Sequence, residues 1–151
     1  MAVVYRTCKA KYPPLDGTGA WARGGRWNSP GRPAVYAAAS YANTLLEILV
    51  HRGRTIPPGA HHVAQLEIPD ELIESLAPDT IPGWDRPDAP SARAFGDRWL
   101  DERRSVALVV PAVVGRPFER NVVINPEHPD FGRVRELARV PVAWDGRLFS
   151  H

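Results

Sequence analysis

Hydrophobic positions in this chain fall mostly into short alternating or continuous runs, and two stretches keep a helical period. AVVYRTC (residues 2 to 8) is rich in β-branched and aromatic residues and predicts a first strand. KYPPLDGTGAWARGG (11 to 25) carries the prolines and glycines of a long loop. PAVYAAA (33 to 39) predicts a second strand, after which Ser40 is placed to cap a helix running to about Arg52. Within that helix Ala42, Leu45, Leu46, Leu49 and Val50 follow the i, i+3, i+4, i+7 spacing, which predicts a buried apolar face. At about 100° per residue, Glu47 points roughly 130° from the centre of that stripe, beside Asn43.

HHVAQLEIP (61 to 69) predicts a strand, DELIESL (70 to 76) a short helix and IPGWDRPDAP (81 to 90) a loop. SARAFGDRWLDERR (91 to 104) predicts a second long helix, capped by Ser91. SVALVVPAVV (105 to 114) has the continuous apolar character of a strand buried on both faces, with Ser105 at its start. FERNVVINP (118 to 126) predicts another strand, ended by the turn NPEHPDFG. RVRELARVPVAW (133 to 144) fits both periods, and Pro141, which would break a helix, tips it to strand. Several strands, two helices and no regular βαβ rhythm predict an α+β fold with a mixed β-sheet core.

Length adds that residues 1–151 form a single compact domain, since 151 residues bury a real core but are too few for two ordinary domains. The apolar fraction of 44% and charged fraction of 24% exclude disorder and collagen. Sixteen prolines shorten elements and disfavour a helical bundle. No apolar run of membrane-spanning length occurs and the first residues lack a secretory leader, so a cytoplasmic location is expected. The lone Cys8 permits no internal disulfide and is expected to be a small packed residue.

A net charge of +2 with pI near 9.0 is a weak pointer to an anionic partner, because 19 basic residues are scattered among 17 acidic ones. The charge fits a phosphate-bearing small molecule as well as a nucleic acid. A ribonuclease-like toxin is disfavoured by the lack of a paired histidine acid and base, and direct nucleic-acid binding is not expected. GTGAW (17 to 21) lacks the third glycine and the strand–helix context of a dinucleotide fingerprint, and no phosphate-loop signature occurs. His51, His61, His62, His128 and His151 make no metal-ligand spacing with carboxylates, so no metal is expected.

Each remaining polar residue has a plain explanation when taken alone. Glu47 fits an exposed helix carboxylate facing His51, Arg26 and Trp27 a stacked surface pair, Tyr36 a half-buried strand aromatic, and Ser105 a hydroxyl bonded to backbone. A binding module in which Arg26 and Glu47 merely pair is a further alternative.

In combination they resemble a known family. Tyr5-Arg6, GGRWN (24 to 28), Val35-Tyr36, Leu45-Leu46-Glu47, SVALVVP (105 to 111), Asn121 with INPEHPDF (124 to 131), and DGRLF (145 to 149) resemble the RES domain. That family is named for an arginine, a glutamate and a serine and supplies toxins of bacterial type II toxin–antitoxin systems. One departure is Pro111-Ala112, where the family pattern commonly reads Pro-Ser, and no role is assigned to residue 112.

The resemblance implies a fold similar to ADP-ribosyltransferases and cleavage of NAD+, the substrate, between nicotinamide and ribose. Glu47 would then stabilise the ribosyl cation, with Arg26, Tyr36 and Ser105 also catalytic. Arg6, Arg26, Tyr36 and Asn121 would line the NAD+ site, arginine being suited to pyrophosphate through paired charge-assisted hydrogen bonds. The acceptor of ADP-ribose is open: water, phosphate or, in the alternative of a true ADP-ribosyltransferase, a host protein. The implied partner is a cognate antitoxin with a helix-turn-helix DNA-binding domain that blocks the site, with a possible oligomer in the complex.

Overall fold

The computed structural model describes residues 1–149 apart from 54 and 78, so His151 lies outside the described residues. Seven strands form one sheet in the order β4-β5-β6-β2-β1-β3-β7. They are β1 Ala2–Lys9, β2 Val35–Ala38, β3 His61–Ile68, β4 Ile73–Ser75, β5 Ala107–Pro111, β6 Arg120–Ile124 and β7 Arg135–Pro141. The helices are α1 Thr18–Arg23, α2 Tyr41–Arg52 and α3 Pro90–Glu102. All strand pairs are antiparallel except β4 with β5, so the expected mixed α+β sheet is present. None of the described helices is long and apolar enough to cross a membrane.

Three local expectations are corrected and one is met. The 11-to-25 loop contains the short helix α1, whose Ala20 packs against the core. Residues 70 to 76 are a 3-10 turn, Asp70–Leu72, followed by β4, because the β-branched Ile73 extends beside β5. Ser91 does not cap α3: the helix starts at Pro90, whose fixed φ suits a first turn, and Ser91 Oγ donates to Pro82 O at 2.9 Å. Ser40 does cap α2, accepting from the Asn43 N–H at 3.2 Å.

The larger correction concerns the face of α2. Ala42, Leu46 and Val50 are exposed, with Leu46 at 41% and Val50 at 55%, while Asn43 and Thr44 are buried. The helix is rolled so that polar side chains meet the sheet, because the sheet offers them partners. Thr44 Oγ1 lies 2.7 Å from Thr7 Oγ1 on β1, and Asn43 Nδ2 donates to Asn121 Oδ1 on β6 at 2.8 Å.

Register and alternation sort the strand side chains onto two faces. Val4, Val35, Ala37, Ala64, Leu66, Val122 and Ile124 form one apolar cluster on one face. Tyr36, Leu108, Val110 and Val123 point to the other, where α3 supplies Ala92, Phe95, Trp99 and Leu100. The two halves of the sheet, β4-β5-β6-β2 and β1-β3-β7, meet at one register pair, Tyr5↔Ala38. Beyond it β1 and β2 splay, and α2 lies over the junction.

Candidate active site

Glu47 stands half-buried on the inward flank of α2, where its Oε1 accepts from Asn121 Nδ2 at 3.1 Å. Asn121 is the second residue of β6, opposite Ala38 and Val110, so it projects from the same face as Tyr36. The expected pairing of Glu47 with His51 is replaced by this contact. A carboxylate on a helix, bonded to an amide on a strand, is fixed by two rigid elements.

Tyr36 forms the floor of the same face. Its hydroxyl donates to Asn28 Oδ1 at 2.7 Å and accepts from the Trp27 N–H at 3.0 Å. Burial raises its pKa far above the ordinary tyrosine value, and the Trp27 N–H offsets this only in part. Gly25 is needed here, since a Cβ at that position would come within 2.7 Å of the Tyr36 hydroxyl. Tyr36 therefore clamps the loop of residues 24 to 28 onto the sheet. Asn28, 0% exposed, completes the clamp by donating to the carbonyls of Ala20 and Arg32, each at 2.9 Å.

Arg26 leaves that loop and donates from Nη1 to the carbonyls of Trp84 and Arg86, each at 2.8 Å. It makes no ion pair with Glu47, which removes the reason for a plain Arg26–Glu47 binding module. Trp27 is not a surface residue. At 2% exposure it stacks on Trp84 with centroids 6.5 Å apart and meets Phe95 edge-on.

Arg6 projects from the opposite face of β1, with Val4 and Cys8, yet its guanidinium enters the gap where β1 and β2 splay. There Nη1 donates to Tyr36 O at 2.7 Å, taking the place of a ladder bond. Burial lowers the Arg6 pKa, while Cys8 and Asp16 oppose this. Nε has no hydrogen-bond partner among the described residues.

Ser105 is not brought to this group. It precedes β5 at the end away from Val110, about 16 Å along the strand from the position opposite Asn121. Its hydroxyl accepts from Trp99 Nε1 at 2.8 Å and lies 3.1 Å from Ala107 O, so the plain structural explanation accounts for it. Ala112, at the other end of β5 and 1% exposed, donates its N–H to Glu119 O at 3.4 Å.

The structure thus gathers Glu47, Asn121 and Tyr36 on one face, the Arg26 loop beside them and Arg6 in the gap. Asn43 and Asn28 are polar members that sequence reasoning left without a role. Asn28 closes a glycine-led loop, which is a local signal, whereas Asn43 lies on the side of α2 that the apolar period assigns to solvent, and no local pattern marks it. An open cavity of about 240 Å3 elsewhere, bounded by Arg32, Leu100, Asp101, Arg103, Asn125 and Glu127, contains none of the candidate residues.

Comparisons with known proteins bear on this arrangement. Residues 3–145 match the RES domain. The chain is 37% identical over 152 residues to the protein named Toxin Res of Photorhabdus laumondii, covering 97% of this chain and 96% of that one. It is 40% identical over 121 residues to the Prs ADP-ribosylating toxin of a Sphingobium species, covering 77% and 74% respectively. Among solved structures, a chain of the M. tuberculosis MbcT–MbcA toxin–antitoxin complex superposes with a TM-score of 0.78 at 20% identity, over 93% of this chain and 84% of that one. That likeness establishes the shared fold. With the family pattern running through nearly the whole chain, the protein belongs to the RES domain family.

Proposed function

We propose that this protein is the toxin of a toxin–antitoxin pair and that it breaks the nicotinamide–ribose bond of NAD+. The observation that carries the proposal is Glu47 fixed by Asn121 at the splayed junction of the sheet, with two arginines reaching the same region from loop and strand. The names of the Photorhabdus and Sphingobium relatives support it.

The chemistry asks little of the protein beyond placement and charge. When the glycosidic bond breaks, nicotinamide takes the bonding pair and leaves neutral, so positive charge develops on the ribosyl carbon and ring oxygen. A carboxylate held within reach of that ring stabilises the cation without having to reorganise. Glu47 supplies the carboxylate, and Asn121 keeps it from rotating away. Arg26, anchored through Nη1, offers its remaining N–H donors to the pyrophosphate, and Arg6 adds positive charge from the gap, where its Nε is buried without a hydrogen-bond partner among the described residues. Tyr36 presents its ring rather than its hydroxyl, which the loop already occupies. Water or phosphate then attacks the cation, and the attacking oxygen releases its proton to solvent.

A second outcome, transfer of ADP-ribose to a protein, is favoured by the name of the Sphingobium relative. The partner in this proposal is a cognate antitoxin that covers the same face, with a helix-turn-helix domain of its own, in the cytoplasm. Proton NMR of NAD+ with the purified protein and with Glu47→Ala tests the proposal. Free nicotinamide is expected with the wild type alone. A folded Glu47→Ala protein that consumes NAD+ at the wild-type rate would refute it, and isotope-labelled NAD+ distinguishes free ADP-ribose from a labelled protein band.

A further inference from the structure

Asn43 is 0% exposed, although its helix carries leucines (Leu45, Leu46 and Leu49) that could have filled a buried position. Burying an amide costs free energy unless hydrogen bonds replace its water, and a leucine there would carry no such cost. Its surroundings show what the amide does. Nδ2 donates to Asn121 Oδ1 at 2.8 Å, and Asn121 Nδ2 in turn donates to Glu47 Oε1 at 3.1 Å.

The polarity of this chain is fixed from one end. A carboxylate only accepts, so Asn121 must turn its nitrogen toward Glu47 and its oxygen toward Asn43. Asn43 must then present its nitrogen. Reversing either amide sets oxygen against oxygen in one of the two contacts. Asn43 Oδ1 is left facing the turn before β6, with no partner among the described residues, and a Cβ at Gly115 would stand 3.6 Å from it.

Asn43 is also anchored by its own backbone. Its N–H is held by Ser40 Oγ at 3.2 Å, and Ser40 in turn donates to Glu119 Oε2 at 3.0 Å. The Asn121 side chain is only half-buried, and its Oδ1 receives the Asn43 Nδ2 donor. We infer that Asn43 is a positioning residue: it locks the amide of Asn121 and, through it, the orientation of the Glu47 carboxylate. The catalytic consequence rests on the proposed NAD+ cleavage, whereas the structural relay does not.

The test is a cycle of Asn43→Leu and Asn121→Ala, singly and together, with the carbon-13 resonance of the Glu47 carboxyl read at one fixed neutral pH and NAD+ turnover measured in parallel. Asn43→Leu introduces no charge, so no direct charge effect reaches Glu47. In the wild-type background it should move the Glu47 resonance toward its position in Asn121→Ala, because donation to the carboxylate weakens. It should lower kcat about fivefold with KM for NAD+ nearly unchanged. In the Asn121→Ala background the same substitution should change neither quantity, because the link is already broken. An unmoved resonance in the wild-type background, or an equal shift in both, overturns the inference. Asn43→Ala, which only removes atoms, gives the same comparison if the leucine variant does not fold. Should the wild type fail to turn over NAD+, the functional proposal falls while the resonance still decides the relay.

Discussion

Glu47 and Tyr36 show how differently two polar residues on one face are used. Glu47 has one carboxylate oxygen without a hydrogen-bond partner among the described residues, as a group meant for a ligand should, whereas both hydrogen-bonding directions of the Tyr36 hydroxyl are taken up by the loop. Glu47→Gln should therefore fold normally and lose NAD+ turnover by about a hundredfold or more, measured as nicotinamide release. Tyr36→Phe should instead cost stability, since it strands the Trp27 N–H and Asn28 Oδ1; about 1–3 kcal/mol is expected in urea unfolding. Its pH dependence has a definite sign. Burial raises the Tyr36 pKa in the folded state, so the fold holds this proton more tightly than the unfolded chain does. That stability is complete below the unfolded tyrosine value near pH 10, roughly, and is lost as pH rises above it. Alkaline unfolding profiles should accordingly be flatter for Tyr36→Phe, and an unchanged slope would show that the hydroxyl is not held as described.

At the scale of elements, the helices were legible as helices but not in how they sit. The apolar period of α2 is real, yet the sheet under it presents Thr7 and Asn121, and hydrogen bonds to these roll the polar stripe inward. Leu46→Ser and Val50→Ser should consequently change stability by no more than about 0.5 kcal/mol in chemical denaturation, where a buried leucine would cost several times that. In α3 the opposite holds at Gly96, where a built Cβ runs into the Trp27 carbonyl. This close approach seats the loop bearing Arg26 and Trp27 on the helix, so Gly96→Ala should destabilise by about 3 kcal/mol or more and should loosen that loop. Ser91 and the short β4 were misassigned for a related reason: local capping and helix preferences lose to Pro90 at the helix start and to pairing with β5.

Across the whole molecule the proposed site lies where two half-sheets meet at one register pair, bridged by α2 above and by Arg6 within. A ligand entering that gap would satisfy groups that the ladder leaves open. Hydrogen exchange of Glu47→Gln with and without NAD+ should then show slower exchange at Thr7, Tyr36 and Ala37 on binding. Slowing confined to the open cavity around Arg103 and Glu127 would place the ligand elsewhere.

Side-chain period, proline placement and residue spacing within short windows suffice for the single α+β domain, most strand positions, the two long helices and the family, and they single out Glu47, Tyr36, Arg26 and Arg6. Which of these residues share a face depends on the fold. Asn121 and Glu47 are 74 residues apart and meet because β6 pairs with β2, while Ser105, in an equally suggestive motif, ends at the far end of β5. Strand register and helix roll are set by long-range partners, and no local pattern encodes them.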